Sequence, residues 1–328
     1  MNKLTKIGLS ALAGSLVAVS AHAGSLSASG SASMSFANGD VDENVAGDGR
    51  GVTGNQWTMA DSITMTGGGD MDNGMSVSVS FEIDNDEADA GEVLDSHSIT
   101  LDTNGMGTLT FAGHGGGGFL DSNDDKSPTA YEESWDGVTN ADEETLVGGV
   151  TANNMFTYKS PDLGSGTTVT LSYIPSGDSA KTPNESYLDF GVSSTGLMDG
   201  LTVGLGMAEE ETTLGTVIDH QVAFATYSVG AITVGGSMNE KEGDAASNDV
   251  EFRSFGVSYA VSDDVSISYN TSTSDNASEA QDQEASGISA SWTSGGVSVG
   301  GMINTVDNAS YAASQDTEGY ELNISFAF

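Results

Sequence analysis

Carboxylates are the side chains with the most chemical reach in this chain: 48 Asp and Glu stand against 8 Lys and Arg in 328 residues. Paired carboxylates can serve as general acid and base, but acids neighbour one another so often here that no single pair marks a hydrolase. Runs of them can offer Ca2+ several oxygen ligands. Two runs, Asp84-Asp86-Glu87-Asp89 and Asp142-Glu143-Glu144, have that density, although solvated loop faces are the commoner use of such runs. Asp70-Met71-Asp72-Asn73-Gly74 begins like a calcium loop, lacks the downstream glutamate and reads as a turn. His97, His114 and His220 lie far apart in sequence, which gives no support to a metal or catalytic constellation. Gly113 to Gly118 (GHGGGG) is not followed by a helix and so is no nucleotide cradle; its glycines let the backbone bend. The chain therefore reads as a non-enzyme that requires no cofactor, with Ca2+ as the ion its acidic loops would take.

The same charge limits the partners. Lys3 and Lys6, the apolar run Ile7 to Ser20 and the Ala21-His22-Ala23 motif have the order of a cleaved secretory signal, so residues 1–23 are predicted to be removed and 24–328 to form one exported domain. Losing the two lysines takes the formal charge from −40 to −42. Nucleic-acid binding, which needs a positive surface, is excluded. The absence of cysteine excludes a disulfide framework, and no later stretch approaches the roughly 18 to 20 apolar residues of a spanning helix. Any membrane insertion must be by strands.

Strands are what the pattern supplies. Tyr320, Leu322, Ile324, Phe326 and Phe328 alternate with Glu321, Asn323, Ser325 and Ala327 to the end of the chain, giving one apolar and one wet face. Met75 to Ile83 (MSVSVSFEI) alternates as cleanly, and Asn104-Gly105 between two alternating runs signals a hairpin. Sixteen such strands can be traced from Ser25 to Phe328, joined alternately by seven short turns and eight longer, acidic loops. That is the layout of an antiparallel transmembrane β-barrel with short connections at one end and long ones at the other. Val250 and Phe252 fall in one phase while Phe255, Val257 and Tyr259 fall in the other, which predicts a bulge near Arg253 or Ser254. Strand parity turns Glu82, Asp102, Lys159, Asp189 and Arg253 toward the lumen.

Three stretches resemble the general diffusion porins of Gram-negative outer membranes, in particular the sixteen-stranded trimeric type. They are Ser62 to Asp86 (SITMTGGGDMDNGMSVSVSFEIDND), Asn154 to Tyr173 (NMFTYKSPDLGSGTTVTLSY) and the terminal strand ending in Phe328. The resemblance implies a homotrimer in the outer membrane, passive diffusion of small hydrophilic solutes, and Phe328 as the signal read by the outer-membrane assembly machinery. It also implies that the long segment Gly113 to Ala152 is a third loop folded into the barrel, with Asp121, Asp124, Asp125, Glu132, Glu133 and Asp136 at the constriction. The wall opposite should then carry a basic cluster, yet the six basic residues left after the leader are Arg50, Lys126, Lys159, Lys181, Lys241 and Arg253, none in the third, fourth or fifth strand. An unbalanced negative lumen between low-dielectric walls favours cations, so cation selectivity is expected. Divalent ions bridging the acidic loops to one another or to lipopolysaccharide would relieve their repulsion. The competing reading is a secreted or surface-exposed acidic β protein, structural or adhesive, that binds calcium; the fixed short repeat of a solenoid is not found.

Overall fold

A computed structural model describes residues 25–39, 56–84, 94–135, 153–175, 184–212, 215–243, 249–313 and 316–328. The predicted leader lies outside these residues. Sixteen strands follow one another: β1 (Leu26–Gly39), β2 (Gln56–Asp70), β3 (Ser76–Asp84), β4 (Ser96–Asp102), β5 (Thr108–His114) and β6 (Met155–Lys159). Then come β7 (Thr167–Ile174), β8 (Asn184–Ser194), β9 (Leu201–Thr212), β10 (Val217–Val229) and β11 (Ile232–Gly243). The chain finishes with β12 (Val250–Ala260), β13 (Val265–Asn276), β14 (Gln283–Ser294), β15 (Val297–Asp307) and β16 (Thr317–Ala327).

Each strand pairs antiparallel with its sequence neighbours, and β1 pairs with β16 from Ser31↔Ala327 to Gly39↔Gly319. The sheet thus closes on itself, and no strand is left as an open edge. Along β16, Tyr320, Leu322 and Phe326 face outward and exposed while Gly319 and Glu321 are buried on the lumen side. Among the exposed aromatics, Trp57 and Tyr320 lie toward the long loops and Tyr259, Trp292, Phe326 and Phe328 toward the short turns, with Phe190 and Phe255 between them. Such paired girdles bracket an apolar band. At the β4/β5 turn, Asn104 (φ 58°) and Gly105 (φ 98°) take the left-handed conformation expected for Asn-Gly, and Asp102 accepts a hydrogen bond from the Asn104 N–H at 2.8 Å.

Several strands run further toward the long loops than alternation alone predicts. β9 continues through Glu209-Glu210-Glu211, β10 starts at Val217 and β11 reaches Gly243. Above the apolar band the outer face no longer meets hydrocarbon, so hydrogen bonding continues where the hydrophobic signal stops.

The predicted bulge in β12 is absent. Its pairs with β13 run in one register throughout, and its pairs with β11 keep the same register on both sides of a gap at Gly236 and Ser237. Val250 and Phe252 are lumen-facing residues that are buried against Trp135, with Ala285, Val306 and Ala309 completing the cluster. The apolar phase changes because each end of the strand meets a different apolar partner, a packed loop inside and lipid outside.

Candidate functional site

The segment between β5 and β6 leaves the wall at Gly115 (φ +65°) and lies along the inside of the barrel as far as Trp135. Its first contact is an apolar cluster in which Phe119 and Leu120 pack with Met155, Ile174, Tyr187, Ala208, Val222 and Phe224. Wall glycines make room for it. A Cβ at Gly191 would overlap the Phe119 ring, and one at Gly206 would come within 2.5 Å of the same ring. Asp189 on β8 lies beneath, with its Oδ2 accepting from the Leu120 N–H at 3.1 Å and the Tyr187 hydroxyl at 3.3 Å.

Hydrogen bonds then fasten the loop strand by strand. Ser237 Oγ and Asn239 Nδ2 on β11 donate to the Asp124 carbonyl at 2.8 and 2.6 Å. The Ala130 N–H donates to Ser268 Oγ on β13 at 2.8 Å and the Tyr131 N–H to Ser289 Oγ on β14 at 3.2 Å. Tyr131 lies over Gly300 of β15, and its hydroxyl donates to Glu321 Oε1 on β16 at 2.7 Å. The Ser134 N–H reaches Asn270 Oδ1 at 3.0 Å, and Trp135, 1% exposed, meets Phe252 edge-on at 5.2 Å. Serines and asparagines on the wet phase of β11, β13 and β14 thus replace the water that would otherwise satisfy the loop backbone.

The arrangement leaves a lumen narrowed from one side by a carboxylate-bearing strap. Asp121, Asp124, Glu132 and Glu133 are partly exposed and Asp125 is exposed, with Lys126 Nζ 3.6 Å from its carboxylate; Asp136 lies outside the described residues. Burial, then the charges of Asp125 and Asp121, raise the Asp124 carboxyl from 3.8 to about 7. Glu82 lies in the lumen phase of β3, where Ser96 Oγ donates to it at 3.4 Å. Lys159 shares the phase of Met155 and Thr157, whose side chains meet the inner cluster and the loop.

Three wall residues differ from their sequence-based roles. Asp102 has lumen parity but caps a turn at the barrel's short-turn end. Asp189 has lumen parity too, yet is fully buried beneath the loop and so holds the loop instead of lining water. Arg253 stands on the outer face, flanked by buried Phe252 and Ser254 and paired with Glu251; its parity is inverted because Phe252 belongs to the inner cluster. Alternation could have located Glu210, His220 and Lys241, which the sequence reading did not place. All three turn inward on β9 to β11, with His220 Nε2 3.2 Å from Glu210 Oε2. Among the described residues, no group of three or more His, Cys, Asp or Glu is placed to hold a metal ion.

A closed sixteen-stranded barrel, apolar outside and hydroxyl-rich inside, with a strap packed on its inner wall, defines a passive membrane channel. The Gram-negative porin family model matches residues 8–283, and the chain belongs to that family, whose members are outer-membrane diffusion channels. Solved structures agree at the level of fold. The anion-selective porin from Comamonas acidovorans superposes with a TM-score of 0.67 at 17% identity, covering 93% of this chain and 99% of that one. Outer-membrane expressed OmpT of Vibrio cholerae gives 0.67 at 12% identity over 94% and 99%, and the Salmonella typhi OmpF complex with daunomycin 0.67 at 12% over 93% and 98%. No curated protein matches the chain.

Proposed function

We propose that this chain forms a cation-preferring pore for small hydrophilic solutes, working as a homotrimer in the outer membrane after loss of residues 1–23. The observation that carries the selectivity is the charge balance of the strap and wall. Asp121, Asp124, Asp125, Glu132 and Glu133 lie on the strap, and Lys126, Lys159 and Lys241 are the only lysines among the described residues. A narrow passage between low-dielectric walls amplifies such an imbalance. The anion-selective neighbour, at 17% identity, bears on fold alone. In planar bilayers under a salt gradient, the reversal potential should have the sign of cation preference. The opposite sign overturns the reading.

Acidity should tune this preference. As pH rises through about 7, Asp124 ionises and adds one charge per protomer to the constriction, so cation preference should be stronger at pH 9 than at pH 5. Asp124→Asn should flatten that change. Seating of the strap responds to pH in the opposite sense. A carboxyl raised from 3.8 to about 7 holds more protons in place than when released, so its contribution to strap seating is full below about pH 4 and lost as pH rises through 7. Gating noise that grows from pH 5 to pH 9 in the native chain, and less in Asp124→Asn, is the expected signature.

Support for the trimer comes from Asp61. It is exposed in the outward phase of β2, opposite Ala32 and between Met59 and Ile63. A carboxylate there suits a face covered by another subunit better than one covered by lipid. Elsewhere the outward acids gather at the long-loop ends of the strands, as with Glu209, Asp219 and Glu242, which are register neighbours. Lipopolysaccharide phosphates can approach such acids only through divalent cations. Millimolar Ca2+ should therefore raise the thermal unfolding temperature and chelation should lower it; no change on chelation counts against Ca2+ bridging. The two acidic runs noted in the sequence lie, Asp84 apart, outside the described residues.

A further inference from the structure

Two histidines that the sequence keeps apart are brought together at the extracellular end of β4 and β5. The β4/β5 register runs without interruption from Asp102↔Thr108 to Ser98↔Ala112, then shifts so that His97 faces His114. Without that one-residue bulge, His97 would face Gly113 and His114 would turn to the opposite side of the sheet. Bulges re-aim side chains in this way. Here the result is two imidazoles stacked at 6.5 Å between centroids and 12° between planes.

Two further details prepare the pair for the same task. Glycine at 113 lets the His97 ring lie close over the β5 backbone, since a Cβ there would overlap the ring at Nε2. The His114 Nδ1 lies against the Asp95 backbone carbonyl. A carbonyl only accepts, so Nδ1 carries the proton and Nε2 carries the lone pair, one of the two tautomers in which histidine ligates metals. A backbone carbonyl behind a ligand imidazole is also the usual outer-shell support of a metal-binding histidine. His97 is exposed and His114 partly so, so the pair is open to the medium.

We propose that His97 and His114 form a two-imidazole site for a borderline transition-metal dication, Cu2+, Ni2+ or Zn2+, with water completing the coordination. The ligand class follows from the donors: imidazole suits these ions, whereas Ca2+ and Mg2+ prefer oxygen. His114 is also the last residue of β5, directly before the strap departs at Gly115. A bound metal would tie β4 to the root of the strap.

The test uses tag-free full-length protein refolded in detergent, with millimolar Ca2+ present to occupy carboxylates. Titration calorimetry with Zn2+ or Ni2+ should show one site per chain. His97→Gln or His114→Gln should weaken it by at least the roughly 10–100-fold that loss of an outer-shell partner alone costs, and the double variant should abolish it. Cu2+ electron paramagnetic resonance should show two nitrogen ligands in the native chain and one in either single variant. The conservative glutamines keep the surface polar, and a heat-modifiable gel shift verifies the fold of each variant. His220, buried on the inner wall, serves as internal control, and His220→Gln should leave the titration unchanged. Unaltered binding in the double variant, an oxygen-only Cu2+ spectrum, or no binding by the native chain overturns the proposal.

Discussion

Gly191→Leu should leave the barrel assembled while releasing the first part of the strap, with larger and noisier single-channel conductance. Phe119 is 4% exposed and Leu120 0%, and both depend on the flat wall that Gly191 and Gly206 provide. A leucine at 191 would occupy the volume of the Phe119 ring. Returning both apolar side chains to water costs roughly 1.5–3 kcal/mol each. That shifts the seated-to-released ratio of this part of the strap by about two to four powers of ten. The barrel wall should tolerate the change, because the added side chain points into the lumen and the β8 ladder is untouched. Gly191→Ala combined with Phe119→Ala separates this mechanism from general damage. Removing the ring frees the space the methyl needs, so the two costs should be less than additive. Strict additivity, or unchanged conductance in Gly191→Leu, would show that the strap is held elsewhere.

Such a seat is invisible in sequence for a definite reason. Alternation reports which face of a strand is apolar, and where one face meets lipid and the other water, as in Met75 to Ile83 and Tyr320 to Phe328, it gave both strand and orientation. It fails where the lumen side is itself packed. Val250 and Phe252 are apolar toward the lumen because Trp135 covers them, and a reader who assumes a wet lumen infers a bulge and turns Arg253 inward. Asp189 shows a milder form: its parity was readable, but its burial depends on Leu120, distant in sequence. Glycines on the wall carry no signal of their own, since whether they are seats or spacers is decided by the loop lying on them. The bulge that joins His97 to His114 is hidden likewise, because Gly113 between His114 and Ala112 reads only as part of a flexible run.

Deleting Phe328 should sharply lower the amount of barrel in the outer membrane while leaving the conductance of the inserted channels close to that of the intact chain. The seam contribution can be bounded. The Phe328 N–H donates to the Gly30 carbonyl at 2.9 Å and the Gly30 N–H to the Phe328 carbonyl at 2.8 Å, while the ring covers the space a Cβ at Gly30 would enter, 2.7 Å from it. Two hydrogen bonds contribute roughly 0.5–1.5 kcal/mol each, and an aromatic ring over a glycine is a recognised way to stiffen a strand position. Against a seam that still pairs from Ser31↔Ala327 to Gly39↔Gly319, the loss is modest. Purified truncated chain should therefore refold in detergent with only a slightly lower unfolding temperature. A large cellular defect beside a small defect in vitro would assign Phe328 to recognition by the assembly machinery, the role implied by the porin resemblance, and Phe328→Tyr, which keeps a ring over Gly30, should recover most of it. Equal defects in both settings would reduce Phe328 to a seam residue. Normal surface levels of the truncated chain would remove the signal role altogether.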